Sequence, residues 1–290
     1  MPAVLETKAL TKRFGRTVAL RGCDVALPGG KVTGLVGPNG AGKTTLLQLA
    51  VGLGAPTSGA VSVLGLSPIG DTTALLARVG YVAQDRPLYR DLSVEETLAL
   101  GRRLNVRWDQ AYARARLVRF RIPPDRPIHS LSTGQHAQVA LSLALGKRPE
   151  LLLLDEPVAN LDPVARLELL EELMSAVARD GLTVILTSNI LGDVERICEH
   201  VAILVDGCIR VAGDIDELER GHYVVNGPRR GTAETPGAEV VEIREAERQT
   251  VALIRGAIPS AADDDSTITR PATLEEVVLG YLRSAAREVR

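Results

Sequence analysis

Residues 37–44 read Gly-Pro-Asn-Gly-Ala-Gly-Lys-Thr, a complete G-x-x-x-x-G-K-[S/T] loop. They follow the apolar run Val32-Thr33-Gly34-Leu35-Val36 and precede a helical pattern that starts near Lys43. Few motifs restrict a fold more, because this one requires a strand that ends in a tight turn and a helix whose N-terminus faces that turn. Glycines at 37, 40 and 42 free the backbone to turn its N–H groups inward, making an anion nest at the positive end of the helix dipole. Lys43 then reaches toward the β- and γ-phosphates of a nucleotide, and the Thr44 hydroxyl is placed to hold Mg2+. Pro38, Asn39, Ala41 and Thr45 complete the phosphate-facing segment.

A second motif gives the phosphate site a reaction. Leu151–Leu154 are uniformly apolar and run into Asp155-Glu156, the form of a strand whose terminal carboxylate, Asp155, meets magnesium through water. Glu156 lies next along the chain and is the candidate general base for the attacking water. An apolar strand ending in acid is common by itself, and it acquires meaning from the P-loop upstream. Together they imply Mg2+-dependent hydrolysis of a nucleoside triphosphate.

The remaining pattern fits an α/β chain. Residues 4–36 alternate β-rich runs with Gly and Asp, and Thr183–Thr187 and Val201–Val205 are short unbroken apolar runs of the kind buried on both faces of a parallel sheet. Strand signals stop between about 86 and 150, where Ser93-x-x-Glu96 predicts a capped helix carrying Val94, Leu98 and Gly101 on one side. Asp162-Pro163 predicts another helix start, with Leu167, Leu170, Leu173, Met174 and Val177 as its sheet-facing stripe. Near residue 220 the register changes. Gly, Pro and Arg cluster at 226–231, β-like runs follow at 238–243 and 250–254, and Pro259–Ser266 reads as an acidic loop. Thr273-x-x-Glu276 then caps a helix with Leu274, Val277, Val278, Tyr281, Leu282 and Ala285 on one face. The expected domains are 1–219, with a helical insert at about 86–150, and a small α+β unit at 220–290.

Composition narrows the partners. Aromatic residues are 3% of the chain and the net charge is −2, with no block of Lys or Arg, so neither a stacking platform nor an electrostatic track for nucleic acid is expected. Cys23, Cys198 and Cys208 are too scattered for a disulfide framework, and the N-terminal MPAVLETKALTKRF lacks an apolar leader core. No run approaches the ~18 apolar residues needed to cross a bilayer. The expectation is a reduced, cytoplasmic chain that reaches a membrane only through another protein. The four histidines, at 129, 136, 200 and 222, are expected at the surface.

Between the two motifs stands Leu131-Ser132-Thr133-Gly134-Gln135, which resembles the LSGGQ signature of ATP-binding-cassette (ABC) ATPases. The resemblance covers roughly residues 4–215. It includes Gln84 in Tyr81-Val82-Ala83-Gln84, similar to the family's Q-loop, and Ala159-Asn160-Leu161-Asp162, similar to its D-loop. It implies a P-loop cassette with a mostly parallel sheet, an N-terminal antiparallel β part and a helical insert. It also implies Gln84 near the magnesium and the water, and Ser132, Thr133, Gly134 and Gln135 facing the γ-phosphate on a second cassette, identical or related. Ser132 and Asp162 are also natural helix caps. Phe14 matches the aromatic that stacks on adenine in the family, and a buried core position suits it equally.

Two positions depart from the family pattern. Thr133 replaces a signature glycine, and Asn189, in Thr187-Ser188-Asn189, stands where the family has its switch histidine. Asn can donate to a γ-phosphate but is shorter and cannot carry a proton, which points to slow hydrolysis. Trp108-Asp109, Ile190–Glu195 and Leu274–Val277 look like the ATPase subunits of bacterial exporters of drugs, peptides or lipids, which implies a separate transmembrane permease that holds this chain at the inner face of the membrane. A cassette ATPase acting on DNA or the ribosome is the alternative. A single P-loop, no sustained heptads and no basic patch argue against it. A small-molecule kinase would leave the signature stretch unexplained.

Overall fold

The computed structural model describes residues 2–228, 238–245, 249–256 and 268–288. Strands β1 (Ala3–Phe14) and β2 (Thr17–Pro28) form an antiparallel hairpin. β3 (Val32–Val36) runs through the P-loop into α1 (Lys43–Ala50), and β4 (Ser58–Val63) returns to the free edge of β1. α2 (Thr72–Leu76) leads into β5 (Val79–Val82), after which α3 (Val94–Leu104), α4 (Gln110–Arg119) and α5 (Thr133–Gly146) make the helical insert. The chain then alternates: β6 (Leu151–Leu154), α6 (Pro163–Asp180), β7 (Thr183–Ser188), α7 (Leu191–Ile197) and β8 (His200–Val205). β9 (Cys208–Asp214) and α8 (Ile215–Gly221) follow, then β10 (His222–Pro228), β11 (Ala238–Glu245), β12 (Gln249–Gly256), β13 (Ile268–Pro271) and α9 (Leu274–Glu288).

The central sheet has the order β5-β6-β7-β3-β8-β9, with every pair parallel except β8–β9. Strands β3, β6, β7 and β8 are buried on both faces, as the unbroken apolar runs predict, whereas the edge strand β9 is only partly covered. Leu151 and Leu153 of β6 enter the core shared with α1 and the β2-β1-β4 sheet, whereas Leu152 and Leu154 enter the core under α5 and α6. The twofold period of a strand thus lets one tetrapeptide serve two cores. α3 starts at the capping box formed by Ser93 and Glu96, and Val94 and Leu98 are buried within the insert.

The stripe on α6 differs from expectation. It runs through Leu169, Leu170, Leu173 and Ala176, with Met174 and Val177 half-buried beside it, and Leu167 is exposed. At about 100° per residue, Leu167 lies about 120° around the helix from Leu173 and cannot share the face that meets the sheet.

Beyond α8 the chain builds a third, antiparallel sheet of order β11-β12-β10-β13. α9 begins at the predicted Thr273–Glu276 box, and its Leu274, Val277, Val278, Tyr281 and Ala285 are buried. They join Val224, Val241 and Leu253 in the same core as Val201 and Ile203 of the central sheet. Of the 226–231 cluster, 226–228 end β10; its remainder and the 259–266 loop lie outside the described residues.

Two histidines correct the surface expectation. His200 is buried in β8, a strand flanked on both sides, and His222 is buried at the start of β10. His222 is satisfied there: Nδ1 meets the Leu218 carbonyl at 2.7 Å and Nε2 the Tyr281 hydroxyl at 3.0 Å. Burial lowers the pKa of both imidazoles.

Candidate nucleotide site

The P-loop takes the conformation its glycines allow. Gly40 and Gly42 have φ of +82° and +107°, in the region that side chains resist. Space is as restrictive as torsion, since a Cβ at Gly37 would lie 2.1 Å from the Leu204 carbonyl and one at Gly42 2.4 Å from that of Ala19. Asn39, Gly40, Gly42, Lys43, Thr44 and Thr45 line one side of a cleft of about 290 Å³, with Gln84 and Glu156 also in its wall. Lys43 is 5% exposed and folds into its own loop, donating to the carbonyls of Gly37 (2.8 Å) and Pro38 (3.1 Å). Burial lowers its pKa, against the opposing pull of Glu156 and Asp155.

Asp155 is 1% exposed at the end of β6. Its Oδ1 accepts from the Thr44 hydroxyl at 3.1 Å and from the Thr187 hydroxyl at 2.8 Å, while Oδ2 is buried with no partner. A buried carboxylate oxygen left open beside a threonine hydroxyl is a donor set that suits a hard divalent cation, so Thr44 and Asp155 fit magnesium.

Glu156 follows with φ of +44°, a strained value for a residue with a side chain. Its N–H donates to the Thr187 Oγ1 at 2.7 Å, and its Oε2 accepts from Gln84 Nε2 at 3.2 Å. Thr187 therefore fixes both acidic residues through one hydroxyl. Sequence reasoning passed over it as the end of an apolar run, and the available signal was a hydroxyl on the strand beside β6. Tyr81, on β5, is also near, and burial together with Asp155 pushes its phenol up to about 12.

The other expected site residues lie elsewhere. Ser132 is the N-cap of α5: its Oγ accepts from the Gln135 N–H, and Gln135 Oε1 accepts from the Ser132 N–H, both at 3.2 Å. Asp162 caps α6 by accepting from the N–H groups of Val164 and Ala165 at 3.0 Å. Ser132, Thr133, Gly134, Gln135 and Asp162 are not among the residues lining the P-loop cleft, and neither is Asn189, exposed just past β7. Phe14 is 55% exposed at the end of β1, with Lys12 Nζ 5.0 Å above its ring, which rules out the core alternative.

Beside the insert lies a larger groove of about 450 Å³. Leu53, Leu76, Tyr89 and Leu104 are exposed along it, and Trp108 forms part of its wall. The indole packs so closely that a Cβ at Gly101 or Gly146 would come within 2.7 or 2.8 Å of Trp108 Cη2.

Residues 20–159 match the family model described as ABC transporter. An uncharacterised ABC transporter ATP-binding protein of Nostoc sp. is 36% identical over 248 residues, covering 78% of this chain and 71% of that protein. The Nod factor export ATP-binding protein I of Cupriavidus metallidurans is 32% identical over 310 residues, spanning 100% of both. Among solved structures, an ATP-binding subunit of an ABC transporter aligns with TM-score 0.68 and 29% identity, over 75% of this chain and 92% of that one. A Clostridium perfringens protein described as part of the ABC transporter complex cbiONQ aligns with TM-score 0.65 and 28% identity, over 75% and 90%.

Proposed function

This chain belongs to the ABC transporter family as an ATP-binding subunit, and from that premise we propose that it hydrolyses Mg-ATP to drive a membrane exporter. The observation that carries the reading is a divided site. The P-loop, Asp155 and Glu156 gather in and beside one cleft, while Ser132 and Gly134 sit outside it at the start of α5. A helix start with a serine hydroxyl and free N–H groups suits an anion, so each half is completed by the other half of a second cassette, a copy or a related chain.

In that complex Lys43 and the loop N–H groups hold the phosphates, and Phe14 stacks on adenine. Thr44, Asp155 and Gln84 hold Mg2+, which when bound neutralises charge on the phosphate oxygens. Glu156 orients the attacking water and accepts its proton, with Gln84 steering the carboxylate. Ser132, Thr133, Gly134 and Gln135 present the α5 start to the partner's γ-phosphate, and Asp162 fixes the turn that crosses between cassettes. Asn189 replaces the histidine of the family pattern, and turnover is slow.

A permease subunit docks in the groove beside Tyr89 and Trp108, where apolar side chains stand exposed. No helix among the described residues is long and apolar enough to cross a membrane, which agrees with a peripheral subunit held at the inner face by that permease. Export of a drug, peptide or lipid is the transport reading, in keeping with the names of the Nod factor export relatives. Residues 1–219 form the cassette and 220–290 an accessory domain.

The test is the Glu156→Gln variant, which removes the base and leaves the P-loop intact. With Mg-ATP it should move to twice the monomer mass by light scattering, and a monomer with ATP demonstrably bound would refute self-pairing.

A further inference from the structure

We infer that Arg86 is a positioning residue for hydrolysis: its guanidinium clamps the backbone turn that follows Glu156. Arg86 is 7% exposed, and among the described residues it makes no ion pair. A charge buried in a protein is costly unless it is hydrogen-bonded, and Arg86 Nη2 donates to the carbonyls of Pro157 (3.0 Å) and Ala159 (3.1 Å).

Those carbonyls belong to the tight turn that carries Glu156. Ala159 N–H closes back on the Glu156 carbonyl at 3.1 Å, and both Glu156 and Asn160 have positive φ. Backbone strain of this kind persists only where surrounding bonds over-determine it. Thr187 holds the turn from the β7 side, and Arg86 holds it from the opposite end.

Arg86 is itself at φ +46°, two residues beyond Gln84. It lines the apolar groove with Tyr89 and Trp108, and also the neighbouring cleft of about 510 Å³ with Gln84, His136 and Asn160. Arg86 therefore lines both clefts, stands two residues from Gln84 and bonds the turn that bears Glu156.

The inference rests on Glu156 as the proposed base, and the experiment separates the two. Arg86→Gly suits the positive φ and leaves a hole the size of a guanidinium; Arg86→Lys retains one donor group. Both are compared with wild type in single-turnover ATP hydrolysis and in nucleotide binding, with and without low millimolar guanidinium, and with urea as the neutral control. Arg86→Gly should bind ATP within about twofold of wild type and hydrolyse it at least tenfold more slowly, Arg86→Lys should fall between, and guanidinium but not urea should restore much of the loss. Unchanged hydrolysis, a loss matched by weaker ATP binding, or a loss that guanidinium leaves untouched overturns the role of Arg86. Glu156→Gln is run in parallel: normal hydrolysis in that variant would overturn the reading of Glu156 instead.

Discussion

Replacing Thr187 by Val keeps shape and β-branching in a buried strand position while removing one hydroxyl, so the consequences can be worked from two bonds. The hydroxyl donates to the Asp155 carboxylate at 2.8 Å and accepts the Glu156 N–H at 2.7 Å. Losing a bond to a charged acceptor costs about 1.5–3 kcal/mol, and leaving a buried N–H unmade costs about 1–3 kcal/mol. Because the two bonds share one atom, a total of roughly 2–5 kcal/mol is expected, below their full sum. For 290 residues the entropy of unfolding is about 0.6 kcal/mol/K, which converts the loss to a fall in Tm of roughly 3–8 °C. Thr187→Ser keeps both bonds and loses a methyl, about 1 kcal/mol or roughly 2 °C. Thermal unfolding of the three proteins is the assay, with ATP turnover beside it, where Val should lower kcat at least tenfold and Ser should not. A Val variant as stable as wild type, or a Ser variant less stable than the Val one, would refute the assignment.

Asn189→His should raise single-turnover hydrolysis about tenfold or more, with ATP affinity little changed, because it restores a contact that strengthens at the transition state; equal rates at equal affinity would count against it. Glu276 gives a pH test: chiefly the Arg270 side chain holds its carboxyl at about 2 in the folded chain, against 4.5 unperturbed. Its contribution is complete above about pH 4.5 and is lost as pH falls toward 2, so the Tm gap between wild type and Glu276→Gln should close across that window. A gap that stays constant down to pH 2 would show that the pair does not stabilise α9.

The parts legible in the sequence were those whose cause is local. The P-loop announces its own turn, Leu151–Leu154 announces a doubly buried strand, and the caps at Ser93, Ser132, Asp162 and Thr273 need only neighbouring N–H groups. What escaped depends on partners distant along the chain. The role of Thr187 exists because β7 lies between β6 and β3. Arg116 and Glu172, read alone, are surface charges, yet α4 and α6 bury them against each other, with Arg119 on the second carboxylate oxygen. His222 similarly owes its burial to Tyr281, on a helix that begins some fifty residues later. Placing the signature outside the P-loop cleft also required the fold, because order along the chain says nothing of which halves of a site face each other.

Trp108 is the sole tryptophan of the chain, so under excitation at the red edge of the aromatic absorption its indole dominates the emission. It is wedged against Gly101 and Gly146 with Nε1 donating to Gln110 Oε1 at 2.6 Å, in the wall of the groove where α3 meets α5. A ring held that closely changes quantum yield and anisotropy when either helix shifts or when a neighbouring chain excludes water from its edge. The unlabelled protein thus carries its own optical gauge of that groove, and any movement of the insert on mixing with nucleotide can be followed by stopped flow without introducing a dye.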